Sequence, residues 1–371
     1  MPVKEADIDD LISPNGVKVN AVWSAAGIAS CVHVIGINKR QTLLFDCGIL
    51  DSSYFDARHI FITHSHIDHI GQCIALARIK ALNKWQGKYY VPYEAVEALE
   101  EARVAMSKLD NCDIPMDVVP VKPGDEIIVD INASNRIVSM KVVVFPTVHR
   151  IPSQGYAVYL THRGKQYLYY IFIPNLNYIG DLKEEYKAMD EEGIRLSKLH
   201  GNNICQPGFD TIEMVYTGDT VMSGLLDPRN DFVFKAPILI TELTYLEGDR
   251  SKAAEFGHMH TDDIVENIDK FQNQFILFVH LSQKYRAQGI AVKILRQSLP
   301  QEILSKVYVA LKCFGSRFDV TKVEAVQYDK REREVGHGWG TAVKRNNLNN
   351  ETEKKIRKGK KNTISAAEND K

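Results

Sequence analysis

Apolar and polar positions alternate at two periods along this chain, and the switch between them marks its elements. Short runs rich in β-branched and aromatic residues, KRQTLLFDCG (39–48) and RHIFIT (58–63), predict strands, each closed by a polar turn. The next stretch, IGQCIALARIKALNKW (70–85), spaces its apolar residues for a helix, KYYV (88–91) predicts a short strand, and PYEAVEALEEARVAM (92–106) predicts a helix with proline in its first turn. Further strands are predicted in DEIIVD, MKVVVFPT, GYAVYLTH, KQYLYYIF, IEMVYTG, PILITEL, FILFVH and VYVALK, with helices in DDIVENIDKFQ and AVKILRQSL. No short repeat is present. The pattern predicts an α/β chain of two mixed sheets packed face to face with helices outside.

Composition adds bounds. The 371 residues are 44% hydrophobic and 25% charged, as expected of a soluble globular protein. No apolar run approaches the roughly 20 residues needed to cross a bilayer, and MPVKEADIDD lacks the basic-then-apolar order of a signal peptide, so a cytoplasmic protein with no membrane partner is expected. The six cysteines form no CxxC pair, against both a disulfide framework and a thiolate zinc site. Net charge is −1, yet residues 344–371 carry nine Lys/Arg against four Asp/Glu, leaving 37 against 43, a balance of −6, elsewhere. The body is therefore no bulk nucleic-acid binder. The apolar-poor tail is expected to be disordered, with RNA contact, nuclear import or a plain solvated terminus as its readings. The expected organisation is an N-terminal extension (1–19), one catalytic domain (20–318) and a C-terminal extension (319–371).

The chemistry concentrates in FITHSHIDHIGQ (61–72). Three histidines and an aspartate within six positions would be costly to bury with nothing bound. A loop can turn His64 and His66 to one centre and Asp68 and His69 to a neighbouring one. Imidazole and carboxylate donors without thiolate suit zinc, and less specifically manganese or iron. Further donors end apolar runs downstream: His149 after VVVFPT, Asp219 in YTGDT and His280 closing FILFVH. Asp219 is the candidate bridge between two metals. Each of the three alone would more often be a satisfied polar residue at a strand end; together with the loop they make a constellation. His33, His59, His162, His200 and His337 lack such context and are read as structural or surface groups.

The ordered set LFDCG, FITHSHIDHIG, PTVHR, YTGDT and FVHLS resembles the metallo-β-lactamase superfamily, which implies an αββα sandwich with a dinuclear zinc site at one edge. Within it, HRIPSQGYAVYL (149–160), TELTYLEGDRSKAAEFGHMHTDDIV (241–265) and FILFVHLSQKY (275–285) are similar to ribonuclease Z in its short, plant-type form, over roughly residues 20 to 315. That resemblance implies two zinc ions per chain, His64, His66, His149 and Asp219 on one and Asp68, His69, Asp219 and His280 on the other. It also implies a precursor tRNA substrate, cut to leave a 3′-hydroxyl, and a homodimer as in short members. A proton-donating histidine falls in FGHMHTD, where His258 fits best and His260 stays open; Glu242 would orient it, or serve as an ion-pair partner. Asp68 would orient or accept the water proton. Asp46 of LFDCG is the candidate to hold the second ring nitrogens of His64, His66 and His149. The chain departs from the family at Gln72, where a second glycine is usual, and lacks a clear PxKxRN segment and a long Gly/Pro-rich arm. The competing readings are a phosphodiesterase of the same fold acting on small phosphodiesters or cyclic nucleotides, and a non-catalytic RNA-binding relative.

Overall fold

The computed structural model describes residues 11–37, 41–131, 137–162, 208–285, 289–311 and 318–319, with the isolated positions 189, 193 and 196. The expected strand KQYLYYIF, the mixed-charge stretch searched for an arm, His200, His337 and the basic tail lie outside the described residues. All described elements belong to one compact unit.

Among the described residues, fourteen strands form two mixed sheets. The first is ordered β1 (Lys18–Ala25), β2 (Ala29–Ile35), β3 (Thr42–Phe45), β4 (His59–Phe61), β5 (Lys88–Pro92) and β6 (Asp117–Val121), antiparallel up to β3 and parallel from there. The second contains β7 (Glu126–Ile131), β8 (Ile137–Pro146), β9 (Gln154–His162), β10 (Phe209–Tyr216), β11 (Ile238–Glu242), β12 (Phe275–Val279), β13 (Val307–Val309) and β14 (Phe318–Asp319), side by side in that order. Its first four strands are antiparallel, β10 to β13 are parallel, and β14 returns antiparallel.

Side chains on a strand alternate between faces, so a strand buried on both sides reads as continuously apolar. In β3, Leu43 and Phe45 enter the layer between the sheets, while Leu44 faces the helices. In and just after β4, Phe61 points inward and Ile60 and Ile62 outward. The inner layer also takes Met140, Val142, Val158, Met214, Ile240 and Leu277 from the second sheet. On the outer face of the first sheet, Leu76 and Ala77 of one helix (Cys73–Leu82) and Leu99 of another (Val96–Asp110) close a second core. On the outer face of the second, Val292 and Leu295 of the helix Ile290–Ser298 close a third over Leu239, Ile276 and Phe278. The layers are helix, sheet, sheet, helix.

The boundaries differ from expectation in three places. The helix expected over 70–85 is two pieces, Ile67–Ile70 and Cys73–Leu82, so His69 sits in a helical turn rather than an open loop. Pro92 ends β5, paired with Val121, and the helix begins four residues later after a tight turn over Tyr93–Ala95. The helix expected in DDIVENIDKFQ covers only Thr261–Glu266 before tightening at Ile268–Lys270.

Candidate metal centre

β3, β4, β8, β10, β11 and β12 all run the same way in their sheets, and each delivers a polar residue just beyond or at its C-terminal end: Asp46, His64, His149, Asp219, Glu242 and His280. Backbone polar groups there have left the ladder, and the open edge between two sheets is where such loops meet. Two of these residues, Asp46 (φ 59°) and His280 (φ 56°), adopt the left-handed conformation, which costs a non-glycine residue on the order of 1 kcal/mol. Both are held by contacts that over-determine them. The His280 amide donates to Ser24 Oγ at 2.6 Å, and Asp46 accepts from the Thr63 amide at 2.8 Å and from Tyr216 Oη at 2.7 Å. Gly48 lets the histidine loop pack down, since a Cβ there would sit 1.8 Å from the Asp68 carbonyl oxygen.

The donors converge on Asp219. Its Oδ2 lies 3.3 Å from His280 Nε2, 3.4 Å from His69 Nε2, 3.8 Å from His64 Nε2 and 4.0 Å from both His149 Nε2 and His258 Nδ1. On one side, His66 Nδ1 is 3.0 Å from His64 Nε2 and 3.3 Å from His149 Nε2. On the other, Asp68 Oδ2 is 3.2 Å from His280 Nε2 and 3.7 Å from His69 Nε2. Among the described residues, His64, His66, His149 and Asp219 form one group able to hold an ion and Asp68, His69 and His280 another, while Asp219 also groups with His258 and His280.

The arrangement fits cations on an observation of its own. Among the described residues, His69 Nε2 and Asp219 Oδ1 are buried with no hydrogen-bond partner, and a buried polar atom is seldom left so. Electrostatics agree. Burial lowers the pKa of His64, His66 and His149, favouring the neutral imidazole that ligates metals. Burial would do the same to His69, but the Asp219 and Asp46 carboxylates outweigh it and hold that ring well above the ordinary value. The carboxylates thus draw positive charge to the centre. Asp68 is held well below the usual carboxylate range: burial opposes this, and the His280 hydrogen bond and His69 charge overcome it.

The outer ring nitrogens have partners that the sequence reading assigned differently. Asp46 was expected to hold His64, His66 and His149; instead Asp46 Oδ2 accepts from His69 Nδ1 at 2.8 Å and reaches His64 only through Thr63, whose Oγ1 is 3.0 Å from His64 Nδ1. The reason is register. Asp46 ends the strand beside β4, directly under the turn that carries His69, whose carbonyl also accepts from the Cys47 amide. His149 Nδ1 donates to the Gly257 carbonyl at 2.8 Å, and Gly257 (φ 77°) permits this approach, because a Cβ there would meet His149 Nδ1 at 2.7 Å. His280 Nδ1 lies 3.0 Å from Thr244 Oγ1, whose hydroxyl donates to Glu242 Oε2 at 2.6 Å. Thr63, Thr244 and Gly257 were not anticipated; the only signals were a hydroxyl just beyond β4 and β11 and a glycine just beyond the helix Arg250–Glu255.

The two candidate histidines separate. His258 Nδ1 lies 3.0 Å from Glu242 Oε1 and its ring is 5.2 Å from that of His280. Burial would lower its pKa, but Glu242 prevails and raises it to about 9. His260 instead caps the helix Thr261–Glu266, accepting from the Asp262 amide while Asp263 accepts from its own. His33, His59 and His162 stand away from the centre, bonded to Asn20, Tyr90 and Thr211. Cys31, Cys47 and Cys73 are buried thiols and Cys112 is exposed. No helix among the described residues is long and apolar enough to cross a membrane.

No protein-family model matches the chain. It is 30% identical over 294 residues to the tRNase Z TRZ1 of Arabidopsis thaliana, covering 78% of this chain and 94% of that protein. It is 29% identical to the chloroplastic tRNase Z TRZ2 of the same plant, over 80% of this chain and 75% of that one. The ribonuclease Z of Macrococcus caseolyticus is 22% identical over 67% of this chain and 80% of its own. On sequence identity and coverage together, and with the two-sheet architecture and edge centre already described, this chain belongs to the ribonuclease Z (tRNase Z) family of metal-dependent hydrolases with the metallo-β-lactamase fold.

Proposed function

We infer that this protein is the endoribonuclease that removes the 3′ trailer from precursor tRNA, with two zinc ions per chain as its metals. The observation that carries the reading is the convergence of five histidine ring nitrogens within 4.0 Å of Asp219 Oδ2, in a chain whose relatives are named for acting on tRNA. His64, His66, His149 and Asp219 would hold one ion, and Asp68, His69, His280 and the shared Asp219 the other. Bound zinc supplies positive charge against the developing phosphorane and makes hydroxide available near neutral pH.

The chain's own groups do the rest. Asp68, kept ionised and anchored by the Gly27 amide at 2.8 Å and by His280, accepts the proton of the attacking water. His258 carries the proton for the leaving 3′ oxygen, and Glu242 fixes its ring by accepting from Nδ1, leaving Nε2–H as the donor. The P–O3′ bond breaks, so the tRNA keeps a 3′-hydroxyl and the trailer a 5′-phosphate. The body of the chain is net acidic, so the RNA is recognised by its folded shape, which sets one phosphate over the centre.

The test is direct competition on one preparation: a trailer-bearing precursor tRNA, a small phosphodiester and a cyclic nucleotide, compared by kcat/KM. A single cut after the discriminator nucleotide, abolished by chelator and poor on unstructured RNA, is expected. Preference for the small substrates with no site-specific cut would replace this reading with a phosphodiesterase.

A further inference from the structure

Four segments border the centre, and each presents one exposed apolar side chain beside a residue of the centre. Ile28 (49% exposed) follows Gly27, whose amide binds Asp68. Ile67 (78%) lies between His66 and Asp68, Val148 (49%) precedes His149, and Phe256 (38%) is two residues from His258. Scattered exposed hydrophobics need no explanation, but a collar of them around a cluster of imidazoles and carboxylates marks a recognition surface. The segments of Phe256 and His149 touch: the Gly257 carbonyl accepts a hydrogen bond from His149 Nδ1, and the Arg150 guanidinium lies 5.6 Å from the centroid of the Phe256 ring.

We propose that Phe256 and Arg150 form a nucleotide subsite beside the centre, which binds the unpaired nucleotide next to the scissile phosphate by stacking its base on Phe256 and pairing its phosphate with Arg150. The inference rests on the RNA-cleaving reading and deepens it. A phosphodiester placed at Asp219 and His258 brings its neighbouring nucleotides beside this collar. An aromatic ring takes any base through its π-face, and a guanidinium both binds phosphate and stacks on a base. The occupant is anionic and planar, matching one cation and one ring. The subsite is indifferent to base identity, as a trimming enzyme acting on many tRNAs requires.

The experiment is a cycle between protein and substrate. Phe256→Ala is compared with the parent protein on precursor tRNAs carrying an abasic nucleotide at either the 5′ or the 3′ neighbour of the scissile phosphate. In the parent, one of the two abasic substrates should lose roughly 10- to 100-fold in kcat/KM, the range of one base–aromatic stack. Phe256→Ala should lose as much on the intact substrate and nothing further on that abasic one, while Phe256→Tyr restores the rate. Arg150→Ala should lower the slope of log kcat/KM against log salt by about one phosphate contact. Losses that simply add, or an intact rate in Phe256→Ala, would overturn the subsite. Should the parent hydrolyse a small diester yet make no cut in any precursor, the tRNA reading fails, and the subsite is decided separately. A short single-stranded RNA is then used to inhibit diester hydrolysis: a tenfold or larger rise in its inhibition constant in Phe256→Ala upholds the subsite, and an equal constant overturns it.

Discussion

His258 Nδ1 sits 3.0 Å from Glu242 Oε1, at the end of the strand adjacent to the one that carries His280. The same carboxylate accepts from the Thr220 amide at 2.8 Å through Oε1 and from Thr244 Oγ1 through Oε2. One buried glutamate therefore ties together the residue after Asp219, the threonine behind His280 and the histidine assigned as proton donor.

That arrangement makes the donor separable from the metal. His258→Ala is expected to keep its metal content, by elemental analysis, while kcat falls about 10²- to 10⁴-fold. His260→Ala should cost mainly stability, about 1 kcal/mol, through the lost helix cap. A reversal of the two would move the donor to His260. Glu242→Gln should retain metal and lose rate, since the amide can still accept from His258 but no longer supports its charge.

Metal content should follow the donor groups. The parent protein is expected to bind close to two zinc equivalents, and His64→Ala or Asp219→Ala to lose metal and activity together. Asp219 sits nearest to both groups, so its removal should be the more severe of the two. Purified protein that binds no transition metal even on reconstitution would end the two-ion assignment.

Asp46→Asn tests the His69 contact without changing shape. The carboxylate holds His69 Nδ1–H, the Thr63 amide and the Tyr216 hydroxyl at once. An amide nitrogen cannot accept, so at least one of these bonds is lost, and two if it replaces the oxygen shared by His69 and Tyr216; metal affinity should fall about 10- to 100-fold, as for other partners behind a ligand. Competition with a chelator dye reads this without any assay of activity. An unchanged affinity would make the Asp46 contact incidental.

His33 gives the fold a pH dependence away from the centre. It is buried on β2, and burial outweighs the nearby Asp56 and Asp51 charges to lower its pKa to about 4. The folded-state value lies below the unfolded one, so neutral His33 stabilises above about pH 6.5, and this contribution is lost as pH falls toward 4. Between pH 7.5 and 5 the parent should lose on the order of 2 kcal/mol more unfolding free energy than His33→Leu. Parallel pH curves for the two proteins would show that His33 is not responsible.

Much of the centre was legible in the chain because its chemistry is local. His64, His66, Asp68 and His69 occupy six positions, and no fold can part them far. The later donors could be nominated because each ends an apolar run, and a strand that enters a core must shed its first polar residue at the core's edge. The strands between the sheets read as continuous apolar runs for a related reason, since both faces of β3, β4 and β12 are covered.

What the sequence left open was settled by contacts between segments far apart in number. Asp46 serves His69 and not the histidines first assigned to it, because the parallel pairing of β3 and β4 sets it under the His69 turn. His258 and His260 are equivalent as text; a helix start claims His260 and the end of β11 claims His258. The hairpin of β1 and β2 had no signal strong enough to predict, yet it supplies Ser24 to His280 and Gly27 to Asp68 across 256 and 41 residues. Spacing along a chain fixes which groups are near in one loop, whereas the partner of each proton depends on strand register, which only the packed sheets determine.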